Sequence, residues 1–219
     1  MSRDYGQYCG LARALDVVGD RWNLLIVRQL LMGPARYRDL RTGLSGIATN
    51  LLTDRLRDLE TAGVLERRLS EDGKALSYAL TPWGAQLREP IYALVRWSTP
   101  LMVRGPQGDE LRAEWLRLAL PALFADRVPA GPSVAVGIAV DGGTVQLQTT
   151  EAGIEVGEPD GRPLDAVLHT EAPIVLGLAA GVLSFDDVMA LVEIDGDQSA
   201  LRKFFDAPTT LPDTVCGAR

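Results

Sequence analysis

The sequence predicts an α+β protein of two domains, a helical N-terminal half closed by a β-hairpin and a C-terminal half built on a five-stranded sheet covered by helices. Three observations lead there. At 219 residues the chain exceeds the usual size of one domain, roughly 100 to 150 residues. Apolar residues recur at helical spacing through the first hundred positions, whereas alternation at period two dominates residues 134–170. The charge divides too: residues 1–103 hold 14 Lys and Arg against 11 Asp and Glu, and residues 104–219 hold 8 against 18, so a net charge of -7 conceals a basic half and an acidic half. Between them Arg104-Gly105-Pro106-Gln107-Gly108-Asp109 has linker punctuation. The expected organisation is a domain at 1–103, a linker at 104–109, a second domain at 110–207 and a tail at 208–219.

In the first half, residues 8–18 read as a short helix with Leu11, Ala14, Leu15 and Val18 in register and Gly19 at its end. Asp20 is placed to cap a second helix, whose Trp22, Leu25, Ile26, Gln29 and Leu30 form a core face until Gly33-Pro34. A third helix covers residues 37–44, with Tyr37, Leu40 and Leu44 apolar, and Ser45-Gly46 turns the chain. Residues 47–60 then put Leu52, Leu56, Leu59 and Gly63 on a buried stripe and leave Thr49, Asn50, Thr53, Asp54 and Arg57 outside. Residues 64–69 and 75–80 are two strands joined through Asp72-Gly73, a hairpin signal. Thr81-Pro82 opens a last helix running through Leu87, Ile91, Leu94, Val95, Trp97 and Met102, with Pro90 as a possible kink. Helices, a polar-faced helix and a basic-edged hairpin in this order describe a winged helix-turn-helix, in which the polar-faced helix enters the major groove of DNA and the hairpin rides the backbone. Arg67, Arg68 and Lys74 supply long cationic side chains for phosphates, and Thr49, Asn50 and Thr53 supply groups for base edges. Thr49 or Asn50 could equally cap the helix, and Arg55 could be a phosphate contact or a structural ion-pair partner.

Composition narrows the function classes. With 47% hydrophobic and 23% charged residues the chain folds rather than staying disordered. Its longest apolar run, residues 174–183, falls short of the roughly 17 to 25 residues of a membrane-spanning helix. The start lacks the apolar stretch of a secretory signal, and two cysteines, Cys9 and Cys216, build no disulfide framework, which fits a reducing cytoplasm. A single histidine, His169, reads as a strand residue; with no clustered His and Cys, no metal, cofactor or catalytic constellation is expected.

Several ordered blocks also carry a resemblance: Cys9-Gly10-Leu11-Ala12-Arg13-Ala14-Leu15-Asp16-Val17-Val18-Gly19-Asp20-Arg21-Trp22, Gly33-Pro34-Ala35-Arg36-Tyr37-Arg38-Asp39-Leu40, Leu52-Thr53-Asp54-Arg55-Leu56-Arg57-Asp58-Leu59 and Leu80-Thr81-Pro82-Trp83-Gly84. These resemble the signature blocks of HxlR-type regulators across residues 8–98. The resemblance implies a homodimeric, DNA-binding bacterial transcription factor whose dimer contact uses the helix after Thr81, with Ile91, Leu94 and Trp97 as candidates. Some such regulators use a cysteine at the start of the first helix, which singles out Cys9 as a possible redox residue; the bottom-up expectation is a small buried thiol. Two features depart from the pattern: Gly10 stands where proline commonly follows the cysteine, and a second domain is appended.

In that second domain Leu111, Trp115 and Leu118 mark a helix over residues 110–120 that Pro121 interrupts. Strands at residues 134–140 and 145–149 form a hairpin around Asp141-Gly142-Gly143, and runs at 154–158 and 164–170 extend an antiparallel sheet. Two apolar helices follow, the second opened by Ser184-Phe185-Asp186-Asp187, then a fifth strand at 191–195 and a helix capped by Asp197 with Leu201, Phe204 and Phe205 on one face. This order resembles the sterol carrier protein type of lipid-binding domain, which implies an apolar pocket for an acyl or sterol-like effector; Ile174, Leu178, Met189 and Phe204 are its candidate lining. The expectation is a repressor tuned by an apolar ligand. The alternatives are a carrier of lipid or hydrophobic small molecules, or a C-terminal half with a closed core that serves only as an interaction module.

Overall fold

The structure is a computed structural model that describes residues 4–69, 75–102, 105, 107–110, 112–125, 127, 131–140 and 142–206. It divides into two compact units, Met1–Ile91 and Tyr92–Arg219.

The first unit opens with α1 (Gly10–Val18) and α2 (Asn23–Leu31). Of α1 only Ala12 is buried, while Leu11 and Leu15 remain exposed. The core face of α2 is shifted from the expected one: Asn23, Ile26, Val27, Gln29 and Leu30 are buried, and Trp22 and Leu25 are half-buried. Trp22, not Asp20, holds the N-cap position, because the Asp20 carboxylate is taken by Arg55. A two-residue strand that alternation could not signal, β1 (Ala35–Arg36), precedes α3 (Tyr37–Gly43). The helix α4 (Thr49–Thr61) buries Leu52, Leu56 and Leu59 as the helical spacing requires. Gly63 is not on that stripe; it is exposed with φ 76°, the left-handed residue that ends a helix and that glycine adopts without strain.

The hairpin of β2 (Leu65–Leu69) and β3 (Leu76–Leu80) pairs Leu65 with Leu80 and Leu69 with Leu76, and β1 adds to its other side in the order β1-β3-β2. Lys74 and the rest of the hairpin turn, residues 70–74, lie outside the described residues. Thr81 accepts the Gly84 amide at 3.0 Å and Pro82 occupies the first turn of α5 (Pro82–Ala85), as the sequence expects. Gly84 sits where a Cβ would meet the Val64 carbonyl oxygen at 1.9 Å, so only glycine lets α5 pack on the hairpin. The expected single long helix is two. A continuous helix needs an amide hydrogen from residue 90 to the Gln86 carbonyl, and Pro90 has none. The chain instead closes with Gln86 N–H on Trp83 O and Leu87 N–H on Gly84 O, both at 3.1 Å, and restarts as α6 (Arg88–Met102) with Pro90 in its first turn. The division between the two units falls inside α6.

The second unit has a 3-10 turn (Ala113–Trp115) leading into α7 (Leu116–Phe124); Leu111 lies outside the described residues. Pro121 does not interrupt α7. The roughly 3 kcal/mol that proline costs a helix interior is offset by burial of Leu116, Leu120, Leu123 and Phe124, each about 1.5 to 3 kcal/mol. Five strands follow: β4 (Ala135–Val140), β5 (Gly143–Thr150), β6 (Gly153–Gly157), β7 (Ala166–His169) and β8 (Glu193–Gly196), in the order β6-β5-β4-β7-β8. The fourth strand does not extend an antiparallel meander. After β6 the chain crosses the sheet and β7 runs parallel to β4, pairing Val136 with Ala166 and Ile138 with Leu168. Local contacts hold the crossover in place: Asp165 accepts the Ala135 amide at 2.8 Å through its side chain and donates its own amide to Ala135 O at 2.7 Å. Gly196 meets Asp165 where a Cβ would lie 2.4 Å from the carbonyl oxygen. The crossover also bonds to side chains of β5, Asp160 with Gln146 and Arg162 with Gln148.

On the sheet's other face Val136, Ile138, Val140, Val145, Leu147 and Leu168 meet α7, α8 (Ala172–Ala179), α9 (Phe185–Val188) and α10 (Gln198–Phe205) in one core. The expected caps are present: Ser184 and Asp187 form a capping box, and Asp197 accepts the Ser199 amide at 2.8 Å. Phe205 packs against Phe124 and Phe185, with ring centroids 5.9 and 6.1 Å away. Arg127, 3% exposed, is the one charged side chain in the described core; it donates to Phe204 O at the end of α10 and to Ala179 O at the end of α8, both at 2.7 Å, and lies over the Phe124 ring.

Candidate nucleic-acid interface

The polar face of α4 is assembled by its neighbour α3. The Tyr37 hydroxyl donates to Thr49 O at 2.9 Å and lies 3.4 Å from Thr53 Oγ1, while the Thr53 hydroxyl donates back to Thr49 O at 3.0 Å. Tyr37 therefore pins the first turn of α4 to the start of α3, which fixes the angle at which the exposed face is presented. Thr49, Asn50, Thr53 and Arg57 are all exposed on that face. Ala48 holds the N-cap position, so neither Thr49 nor Asn50 does; Asn50 Oδ1 accepts the Leu51 amide at 2.9 Å.

The cations differ in how they are engaged. Arg55 is half-buried and ion-paired with Asp20 and Asp58, which gives it a structural role. Arg57 stands 3.7 Å from Asp54. On the wing, Arg67 forks onto Glu60, with Nε 2.8 and 3.0 Å from its two oxygens, and Arg68 pairs with Glu66. The Arg67 hydrogen bond holds the Glu60 carboxyl below the ordinary carboxylate range and raises Arg67 in return. Two cations that the sequence reading did not single out stand on α3: Arg38, 83% exposed at its side chain, and Arg41, also exposed. Their signal was their spacing of three on a helix next to the polar-faced one.

The residues expected at a dimer contact separate. Ile91 is 6% exposed and belongs to the core, so it offers nothing to a partner, whereas Leu94 and Trp97 are exposed at 46% and 74%. Leu101 and Met102 join them on α6, and on the first unit Tyr5, Tyr8, Leu11 and Leu15 are exposed as well. Trp97 is not a core residue of the protomer.

Cys9 is exposed, not buried as expected for a small thiol. The first-turn amides of Ala12 and Leu11 hold its thiol below the ordinary cysteine value. Arg13, one turn further on, instead pairs with Asp4 and Asp16.

The four candidate lining residues of the second unit differ in exposure. Leu178 and Phe204 are fully inside the core, Ile174 lies at its margin, and Met189 is exposed with its sulfur 3.2 Å from Gln198 Nε2. His169 bonds Asp195 at 2.9 Å on the sheet surface. Among the described residues no cluster of three His, Cys, Asp or Glu could hold a metal, and no helix is long and apolar enough to cross a membrane.

Comparison with known proteins places the first half. The HxlR-like helix-turn-helix family matches residues 17–105. An uncharacterised HTH-type transcriptional regulator of Mycobacterium bovis is 36% identical over 103 residues, 47% of this chain and 64% of that protein, so the chain spans just under two thirds of that relative. YtfH of Escherichia coli, also an uncharacterised HTH-type transcriptional regulator, is 33% identical over 124 residues, 56% of this chain and 84% of YtfH. Among solved structures, the reduced form of YodB from Bacillus subtilis is 27% identical and covers 45% of this chain and 99% of its own, with a TM-score of 0.39. Its helix-turn-helix half, matched by the family and by relatives named as transcriptional regulators, makes this chain a member of the HxlR-like helix-turn-helix family.

Proposed function

We propose that the protein is a cytoplasmic transcriptional repressor that binds duplex DNA as a homodimer, with α4 in the major groove and the β2–β3 wing along the backbone. The observation that carries this reading is the face of α4: Thr49, Asn50, Thr53 and Arg57 stand exposed on a helix whose first turn Tyr37 ties to α3 through Thr49 and Thr53, and whose opposite stripe of Leu52, Leu56 and Leu59 is buried. Thr49, Asn50 and Thr53 offer short donors and acceptors to base edges; Arg57, Arg67, Arg68 and, from its sequence position alone, Lys74 are the candidate phosphate contacts; Arg55 braces the fold. Dimerisation uses Leu94 and Trp97, whose exposure in the protomer supports an apolar contact. In this reading the DNA-binding domain runs over residues 1–103, followed by the linker 104–109, a regulatory domain at 110–207 and a tail at 208–219.

For the second half, a sheet with one face covered by apolar helices supports a sterol-carrier-like domain that takes an apolar acyl or polycyclic effector and alters DNA affinity. A second reading has its own observation: Leu178 and Phe204 are 1% and 0% exposed inside a packed aromatic core, which favours a purely structural module. Titrating a fatty acid into the protein with and without bound duplex separates the two. Reciprocal coupling requires that a ligand weakening DNA binding tenfold, about 1.4 kcal/mol, binds the DNA complex about tenfold more weakly. Equal affinity on and off DNA removes the regulatory role, and no binding to either form leaves the structural module. Loss of operator preference in Asn50→Ala tests the DNA-reading half; a variant with unchanged preference removes α4 as the reader.

A further inference from the structure

The wing arginines and the α3 arginines differ in one respect that bears on how the protein grips DNA. Arg67 and Arg68 are each held by a carboxylate of the same unit, Glu60 at the end of α4 and Glu66 in β2, so the wing strand presents two ion pairs rather than two free charges. On α3, Asp39 is committed elsewhere: its Oδ2 accepts the Arg36 amide at 3.3 Å in the capping arrangement, and its Oδ1 stays 3.7 Å from Arg38 Nε, beyond a hydrogen bond. Arg41 has no ion-pair partner among the described residues. Arg38 and Arg41 are three residues apart, so they neighbour each other on the helix surface, and Arg41 is one turn beyond Tyr37. Since Tyr37 touches Thr49 and Thr53, this cationic stretch adjoins the exposed polar face of α4.

We propose that Arg38 and Arg41 on α3 are the principal phosphate contacts of the DNA site, and that Glu60 and Glu66 attenuate the wing arginines Arg67 and Arg68. The proposal rests on the DNA-binding reading above and assigns its electrostatics. A phosphate reaching Arg67 must compete with a bidentate carboxylate, whereas a phosphate reaching Arg41 displaces only water and ions.

The test is the salt dependence of binding to a mixed-sequence duplex by fluorescence anisotropy, between about 50 and 200 mM salt. Arg38→Gln/Arg41→Gln flattens the slope of log affinity against log salt by about 0.9 for each phosphate no longer neutralised, roughly 3 to 4 for the four arginines of a dimer. Arg67→Gln/Arg68→Gln flattens it by less than half as much. Glu60→Gln/Glu66→Gln tightens binding by about two- to fivefold by releasing the wing charges. Arg38→Lys/Arg41→Lys, which keeps the charge, restores the slope, and unchanged circular dichroism establishes that each variant is folded. A wing variant that flattens the slope as much as the α3 variant overturns the proposal, as does an α3 variant with the wild-type slope or a Glu60→Gln/Glu66→Gln variant that binds no tighter. Wild-type protein that shows no salt-dependent binding overturns the DNA reading itself.

Discussion

Replacing Arg127 with methionine keeps much of the side chain's volume in the core and removes only its fork of donors. Two hydrogen bonds of 2.7 Å from the guanidinium end on Phe204 O and Ala179 O, the last turns of α10 and α8. A hydrogen bond to a charged group contributes about 1.5 to 3 kcal/mol, so the pair together stabilises the second unit by about 3 to 6 kcal/mol, and methionine offers the two buried carbonyls no donor in its place. Burial opposes this by lowering the guanidinium pKa, since the charged form loses hydration, which places the expected net loss near the low end, about 3 kcal/mol. Set against a domain stability of about 5 to 15 kcal/mol, that is a large fraction. Urea unfolding of the full chain by circular dichroism, with hydrogen exchange read at α8 and α10, should show a midpoint lowered by about 1 to 3 M for the second unit. Arg127→Lys should fall between, because one ammonium cannot reach the ends of two helices in a fixed fork. A methionine variant within about 0.3 M of wild type would refute the clamp.

Three further outcomes are expected. Leu94→Asp puts a carboxylate into the proposed dimer contact and should dissociate the protein in sedimentation while leaving the circular dichroism spectrum folded; a persistent dimer moves the contact to another surface, the exposed Tyr8, Leu11 and Leu15 face being the next to test. Cys9 should alkylate faster at neutral pH than an unperturbed thiol, because the Ala12 and Leu11 amides favour the thiolate, but Cys9→Ser should leave oxidant response of DNA binding unchanged; if it abolishes oxidant-triggered release, Cys9 is a switch. Asp187 and Asp197 are held below ordinary carboxylate values, first by side-chain hydrogen bonds from Ser184 and Ser199, so their stabilisation is complete above the unfolded value of about 4 and is lost as pH falls through their lowered values. Acid titration of Asp197→Asn should show a shallower loss over that window than wild type, and parallel curves would refute the role.

How much of this was legible beforehand depended on whether the cause was local. The caps at Thr81, Ser184 and Asp197, the leucines Leu52, Leu56 and Leu59 of the α4 stripe and the strands of the wing hairpin follow from residues within one turn or one strand pair, and stand where the sequence puts them. What failed required distant partners. Asp20 reads as a cap until Arg55, 35 positions later, claims its carboxylate. The parallel place of β7 is set by Asp165 bonding to Ala135, which alternation along one strand cannot reveal. Ile91 and Trp97 share one apolar helix pattern, yet one is core and the other exposed, because periodicity gives a face and not what covers it. Arg67 reads as a free cation because its partner Glu60 lies on a different element, whereas Arg68 has its partner Glu66 two residues away on the same strand. Arg127 carried no pattern signal, its partners being backbone carbonyls 52 and 77 positions away.

The most direct measurement is selection of bound duplexes from a random DNA pool by the full-length protein, repeated with Asn50→Ala. A dimer reading DNA through two copies of α4 should enrich a near-palindromic sequence with half-sites about one helical turn, roughly 34 to 36 Å, apart, and the alanine variant should enrich a different or degenerate half-site while retaining affinity for phosphate. No enrichment by the wild-type protein, or the same motif enriched by both proteins, would contradict recognition through α4.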